Sequence, residues 1–243
     1  MGHYGTVEPM QVVGDVLSDR GLRRELNEDA YAYEPELDLF LVADGMGGHA
    51  AGEVASRTAA DTITAKLQEL LADDDLTPFR DANGKPCVGA RRLVIAVECA
   101  NDAIFRTAAS NPSQRGMGTT VAALHFADGF ANLCHVGDSR IYRIRNGGIE
   151  RLTEDHAIAA NVLSRALGAQ PMVEASWRVE PVRPGECFVL CTDGVHGQVN
   201  DDEMLEIVER NGDDFRAACA ELIALANERG GRDNSTALVV GVR

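Results

Sequence analysis

Positive charge is scarce in this sequence: 23 lysines and arginines stand against 38 aspartates and glutamates, a formal net charge of −15. A surface so acidic excludes nucleic acid and anionic membranes as partners, because both bind by exchanging counterions for basic side chains. Part of the charge is open to neutralisation by metal ions. No CxxC spacing occurs among the six cysteines, at 87, 99, 134, 187, 191 and 219. Most of them sit in apolar runs, which argues for reduced core thiols in a cytoplasmic protein rather than disulfides or zinc ligands. Low-complexity tracts, internal repeats, a signal peptide and any apolar run long enough to span a bilayer are missing as well. What is left is a chain of 243 residues, 45% apolar, read as one globular domain over 1–243. Met1-Gly2-His3-Tyr4-Gly5-Thr6 also fits the short N-myristoylation pattern.

One stretch organises the rest: the apolar run Leu39-Phe40-Leu41-Val42-Ala43, then Asp44, then Gly45-Met46-Gly47-Gly48-His49 opening into a helical pattern. Asp44 reads as a metal ligand at a strand end, and the glycines after it let a bare carbonyl, such as that of Gly45, approach a cation. An Asp-Gly pair after a strand is equally an ordinary turn signal, so the reading of Asp44 depends on partners elsewhere.

Gln11 to Asp19 reads as a strand, followed by a charged loop to Asp29; Ala30 to Tyr33 and Leu37 to Ala43 are two further strands around Pro35. Apolar spacing predicts helices over 50–71 and 89–109, the second closed by Asn111-Pro112, with a linker from Asp73 to Pro86 between them. Four strands follow over 119–126, 130–136, 140–144 and 149–152. Their connections are too short to hold crossover helices, so the strands are antiparallel neighbours. Strands over 175–182 and 187–191 come next, and Asn200 to Glu203 reads as a capping box opening a helix to Glu209. Asp213 is the expected cap of a helix over 214–229, before a last strand over 235–242. The expected class is α+β: an antiparallel β-sandwich flanked by helix pairs on both faces.

Five segments share a strand end and a carboxylate: Asn27-Glu28-Asp29, Ala43-Asp44-Gly45, Gly137-Asp138-Ser139, Thr192-Asp193-Gly194 and Arg232-Asp233-Asn234. If these acids converge, two bare charges about 5 Å apart repel by roughly 3 kcal/mol at an effective dielectric near 20, and divalent cations relieve that. Oxygen ligands without a histidine or cysteine cluster select Mg²⁺ or Mn²⁺ over zinc, and the absence of a contiguous Asp-rich loop disfavours Ca²⁺.

In order and neighbourhood these residues resemble the metal-dependent serine/threonine protein phosphatases of the type 2C (PPM) family, bacterial branch. The likeness runs from Val12 to Val242. It passes through Ser18-Asp19-Arg20-Gly21 with Arg24, Asn27-Glu28-Asp29, Asp44-Gly45-Met46-Gly47-Gly48-His49, Gly118-Thr119-Thr120 and Val136-Gly137-Asp138-Ser139-Arg140. It continues through Leu152-Thr153-Glu154-Asp155-His156, Arg165-Ala166-Leu167-Gly168, Cys191-Thr192-Asp193-Gly194 and Asp233-Asn234-Ser235-Thr236. The resemblance implies that Asp44 bridges two metals, that Glu28 and the Gly45 carbonyl help hold one, and that Asp193 and Asp233 hold the other. It further implies that Asp29 orients metal-bound water and that Arg24 grips the substrate phosphate, the alternative for Arg24 being a salt bridge to Glu25 or Glu28. The implied chemistry is two-metal hydrolysis: a hydroxide shared by the cations attacks phosphorus in line, without a covalent intermediate. Ser139 and the cysteines are then not nucleophiles, and Cys187 and Cys191 are core.

The sequence departs from the family at three points. Animal relatives carry a histidine two residues after the bridging aspartate; Met46 stands there, which leaves His49 or a metal-bound water as the acid. Only Ala157 to Ser164 separates two motifs between which bacterial relatives place a helical flap. Gly197 replaces an aspartate that helps a third metal bind near Asp138, so the third ion is expected to be labile. The expected function is a monomeric, cytoplasmic phosphatase of phosphoserine and phosphothreonine in proteins, opposing a bacterial serine/threonine kinase. The alternatives are a pseudophosphatase that captures phosphoproteins and a phosphatase of a transcription-regulatory phosphoprotein.

Overall fold

Alternation decides which way each strand of this protein faces. In the computed structural model, which describes residues 11–48, 51–73, 75–80, 84–159 and 162–243, the strand Leu39–Met46 sends Leu39 and Leu41 to one apolar cluster and Phe40 and Val42 to another. Both sets are buried, so the strand reads as a continuous apolar run instead of an alternating one. The N-myristoylation pattern over 1–6, His49 and Ala50 lie outside the described residues.

The order is β1 (Val12–Asp19), β2 (Asp29–Glu34), β3 (Leu39–Met46), α1 (Ala51–Leu71), β4 (Phe79–Arg80), β5 (Pro86–Cys87) and α2 (Val88–Ser110). Next come β6 (Gly118–Thr119), β7 (Val121–Ala127), β8 (Phe130–Val136), β9 (Arg140–Arg145), β10 (Gly148–Arg151), β11 (Ala157–Ala159) and β12 (Val162–Leu163). The chain ends with β13 (Ser176–Pro181), β14 (Cys187–Cys191), α3 (Asp193–His196), α4 (Asp201–Asn211), α5 (Phe215–Glu228) and β15 (Ser235–Val242). One antiparallel sheet has the order β1-β15-β14-β9-β10 and the other β13-β8-β7-β3-β2. The sheets pack face to face through Phe40, Leu124, Phe188, Leu190, Leu238 and Val240. The outer face of one carries α1 and α2 on Leu39 and Leu41; the outer face of the other carries α4 and α5 on Val189, Cys191 and Val239. This is the expected α-β-β-α layering. Each fully buried leucine or phenylalanine in it contributes about 1.5–3 kcal/mol.

The helix signals hold closely. Asn200 and Glu203 form the reciprocal capping box of α4, and Asn111 closes α2. The expected cap at Asp213 is corrected by one residue: the Asp214 side chain accepts from the Ala217 amide, while Asp213 pairs with Arg243. The linker expected over 73–86 contains the small ribbon β4-β5. The strand expected over 119–126 is broken at Thr120, because the Thr120 amide and hydroxyl turn to the backbone of Asp44. In the short stretch that stands where bacterial relatives place a helical flap, β11 and β12 form an antiparallel ribbon.

Candidate active site

Asp44 is fixed by its own backbone before its side chain does anything. Its amide donates to the Thr120 hydroxyl at 2.9 Å, and its carbonyl accepts from the Thr120 amide at 2.9 Å and the Thr119 hydroxyl at 2.9 Å. Across the β2-β3 ladder it stands opposite Asp29. Two carboxylates on adjacent, directly paired positions repel, and the surrounding residues determine how that is tolerated.

Asp29 is buried, and its Oδ2 accepts from the hydroxyls of Thr192 at 2.9 Å and Thr236 at 2.6 Å. The donors form a chain: Thr236 uses its one hydroxyl proton on Asp29, so in its 2.8 Å contact with Ser18 it accepts, and Ser18 in turn accepts from the Asn27 side-chain amide. Oδ1 of Asp29 is buried without a hydrogen-bond partner among the described residues, and so is Oδ1 of Asp193. Burial, only partly offset by the two threonines, pushes the Asp29 carboxyl up to about 7. Burial and the charges of Asp29, Asp193 and Asp233 hold Asp44 well above the usual carboxylate range. Asp193 is raised by burial and then by Asp233, and Asp138 is pushed up to about 6 by burial and then by Asp193.

Glu28 enters from the loop before β2. Its carbonyl accepts from the Gly45 amide at 3.1 Å and the Ser56 hydroxyl at 2.6 Å, and its amide donates to Asn234 Oδ1 at 2.8 Å. Close approach explains two glycines here. A Cβ on Gly45 would lie 2.1 Å from the Gly52 carbonyl oxygen, and one on Gly52 would lie 2.5 Å from Glu28 Oε1. The Asn234 side chain also donates to the carbonyls of Arg20 at 2.9 Å and Leu26 at 2.8 Å, tying the loop that carries Arg24 and Glu28 to Asp233. Arg24 donates to Asp233 Oδ2 at 2.6 Å. Neither Glu25 nor Glu28, the alternatives for Arg24 in the sequence, is its partner.

The outcome is a cleft of about 310 Å³ lined by Arg24, Glu28, Asp44, Gly45, Asp138, Asp193 and Asp233, with Asp29 buried opposite Asp44 on the paired strand. Among the described residues no three histidine, cysteine, aspartate or glutamate side chains stand close enough together to hold a metal ion as they are; the acids line one cleft. The donor set fits hard dications all the same. It is all oxygen, it includes orphaned buried carboxylate atoms, and its acids are driven up by burial and mutual repulsion that a dication relieves. His49 lies outside the described residues. Sequence reasoning gave no roles to Asn234, Thr120, Thr192, Thr236 or Gly52; the first four lie within the recognised motifs, but nothing in the sequence shows which backbone or carboxylate they hold.

A sandwich of this topology whose cleft gathers oxygen ligands beside one guanidinium defines the class of metal-dependent phosphatases. A family model described as Protein phosphatase 2C matches residues 22–239, and the chain belongs to that family. The serine/threonine protein phosphatase PstP of Mycobacterium tuberculosis is 35% identical over 93% of this chain and 44% of its own length, so the chain spans less than half of that relative. The serine/threonine phosphatase Stp of Listeria innocua is 32% identical over 92% of this chain and 93% of its own. Among solved structures, the PstP catalytic domain in complex with two manganese ions is 34% identical, with a TM-score of 0.80 over 96% of this chain and 99% of that one. PppA, described as a key regulatory component of T6SS in Pseudomonas aeruginosa, is 31% identical, with a TM-score of 0.82 over 96% of this chain and 98% of its own. No helix among the described residues is long and apolar enough to cross a membrane.

Proposed function

We propose that this chain hydrolyses phosphoserine and phosphothreonine in proteins, using two Mn²⁺ or Mg²⁺ ions. The observation that carries the reading is the convergence of acids from five separate segments, with Arg24, on one cleft. In this assignment Glu28, Asp44 and the Gly45 carbonyl would hold one ion, and Asp44, Asp193 and Asp233 would hold the other. Asp138 would hold a third more weakly, since Gly197 offers no carboxylate. When bound, the cations supply Lewis-acid charge that makes water nucleophilic near neutral pH and stabilises the phosphoryl oxygens.

The chain's own groups do the remainder. Arg24 is half-exposed at the mouth of the cleft, where it can exchange Asp233 for a phosphate and take two of its oxygens. Asp29, fixed through Oδ2 by two threonine hydroxyls, keeps Oδ1 free to accept a hydrogen bond that orients water. The described residues around the cleft include no histidine among its lining, so the leaving alkoxide is protonated by water or by His49. The partners are phosphoproteins, through a serine/threonine kinase or its targets; the named activities of the relatives support that class. A monomeric, cytoplasmic protein is part of the same reading; the six unpaired thiols agree with a reducing compartment.

Hydrolysis of p-nitrophenyl phosphate and of a phosphothreonine peptide in Mn²⁺, repeated in EDTA and with Asp193→Ala, tests this. Turnover that needs the metal and vanishes in the variant is expected. Turnover in EDTA, or full activity in the variant, would overturn the mechanism. A crystal grown at low Mn²⁺ should hold two ions and not a third.

A further inference from the structure

A second, larger cleft of about 610 Å³ adjoins the first, and the two share Asp138, Asp193 and Asp233. The β11-β12 ribbon stands between them. Ala157, Ile158 and Ala159 wall the larger cleft, while Leu163 faces the smaller one. Ile158 is 76% exposed, a large apolar side chain held in solvent beside the site.

Most ionic groups in the larger cleft are committed. Asp155 receives two bonds from Arg140, at 3.0 and 2.7 Å, and lies 3.6 Å from Arg151. The remaining Arg140 nitrogen donates to the Tyr142 hydroxyl at 3.1 Å, and the His196 ring meets the Asp138 carbonyl at 3.0 Å. Asp138, Asp193 and Asp233 belong to the acid cluster described above. Arg232 differs: it is exposed, it lines this cleft, and it has no ion pair or hydrogen bond among the described residues. In a chain of net charge −15, an uncommitted guanidinium beside the site marks a contact for an anion.

We propose that the larger cleft takes the stretch of substrate beside the phosphorylated residue, and that Arg232 is a specificity-determining residue selecting an anionic side chain there. The anion is a carboxylate or a second phosphate, and Ile158 covers the apolar part of the same stretch. This rests on the phosphatase reading above. It gives that reading a substrate class: phosphoproteins whose phosphorylated residue has an acidic or phosphorylated neighbour.

The test uses the full chain loaded with Mn²⁺ and a set of phosphothreonine peptides. They carry alanine, lysine, glutamate or a second phosphothreonine two residues before or after the reacting one. The unaltered chain should show a kcat/KM about tenfold higher for an anionic neighbour than for alanine, as expected of one charge-assisted contact, and the preference should shrink at high salt. Arg232→Glu should abolish or invert the ratio, Arg232→Gln should bring it to about one, and Arg232→Lys should keep part of it. A preference for glutamate and phosphothreonine alike assigns any anion; a preference for the doubly phosphorylated peptide alone assigns a phosphate. Because the readout is a ratio between peptides on one enzyme, a general loss of fold or activity does not imitate it, and the three variants guard against one that fails to fold. Equal ratios in the unaltered chain and Arg232→Glu overturn the subsite alone. No hydrolysis of any peptide by the unaltered chain overturns the phosphatase reading and the subsite with it.

Discussion

Two charged clusters in this molecule follow opposite plans. At the seam between the sheets, Arg143 is buried and donates to Glu180 at 2.9 Å and to Glu150 at 2.6 Å, and Arg178 reaches both acids from the other side at 2.5 and 3.3 Å. Two positive and two negative side chains cancel there, and the cluster joins β9 and β10 of one sheet to β13 of the other. At the rim, five acids and one arginine line the cleft, two carboxylate atoms are buried without partners among the described residues, and several acids are raised. Charge matched on the spot is what a stabilising cluster looks like. Like charge held together by hydroxyls and backbone is what a site shaped for an outside cation looks like. The contrast separates architecture from function without reference to any relative.

The contrast can be broken by substitution. Asp193→Ala should lower kcat/KM for p-nitrophenyl phosphate by 10³-fold or more, as loss of a metal ligand's electrostatic contribution does (about 4 kcal/mol). Urea unfolding in EDTA should show the same variant as stable as the unaltered chain or more so, because one of several repelling charges is gone. Arg143→Met should do the reverse. It leaves Glu180 and Glu150 to share the half-exposed Arg178 alone and should cost about 1–3 kcal/mol of stability by urea denaturation, with kcat/KM changed only modestly.

Asp29 sharpens the comparison through pH. Its folded carboxyl is raised from 3.8 to about 7, so the folded chain holds this proton more tightly than the unfolded one. The cost of ionising it therefore builds as pH rises above 3.8 and is complete above about 7. In EDTA, Asp29→Asn should gain stability relative to the unaltered chain by about 1.4 kcal/mol between pH 6 and pH 8, roughly one pKa unit of linkage. Excess Mn²⁺ should flatten that difference. The smallest effect belongs to Arg24→Ala. Its ion pair with Asp233 is exposed and should contribute less than about 1 kcal/mol to stability, while KM for a phosphopeptide should rise severalfold.

Much of this was legible in the residues. Short connections such as Ala127-Asp128-Gly129 forced antiparallel neighbours, and the β7-β8 and β9-β10 ladders follow. Helix ends were legible where a side chain makes the cap itself, as Asn200 does, and slipped by one residue where two aspartates in succession offered the same chemistry at 213 and 214. Asp44 and Asp193 stood out because each ends or follows an apolar strand, and Asp233 because it stands just before one. What holds them did not. Thr120 breaks its strand to fix Asp44, and Asn234 reaches across the chain to the Arg20 and Leu26 carbonyls; hydroxyl and amide contacts of that range leave no periodic trace in a sequence. The four-residue helix at Asp193 was missed for a related reason, being too short to show a helical period. The pairing of Arg24 with Asp233 arises only when residues 209 positions apart meet.

Calorimetric titration of the chelator-stripped chain with Mn²⁺ tests the cation site most directly. Two ions should bind per chain, and Asp44→Asn, which takes the shared ligand from both, should lose at least one of them. Failure of the unaltered chain to bind Mn²⁺ saturably, or an unchanged stoichiometry and affinity in Asp44→Asn, would contradict the assignment of the acid-lined cleft.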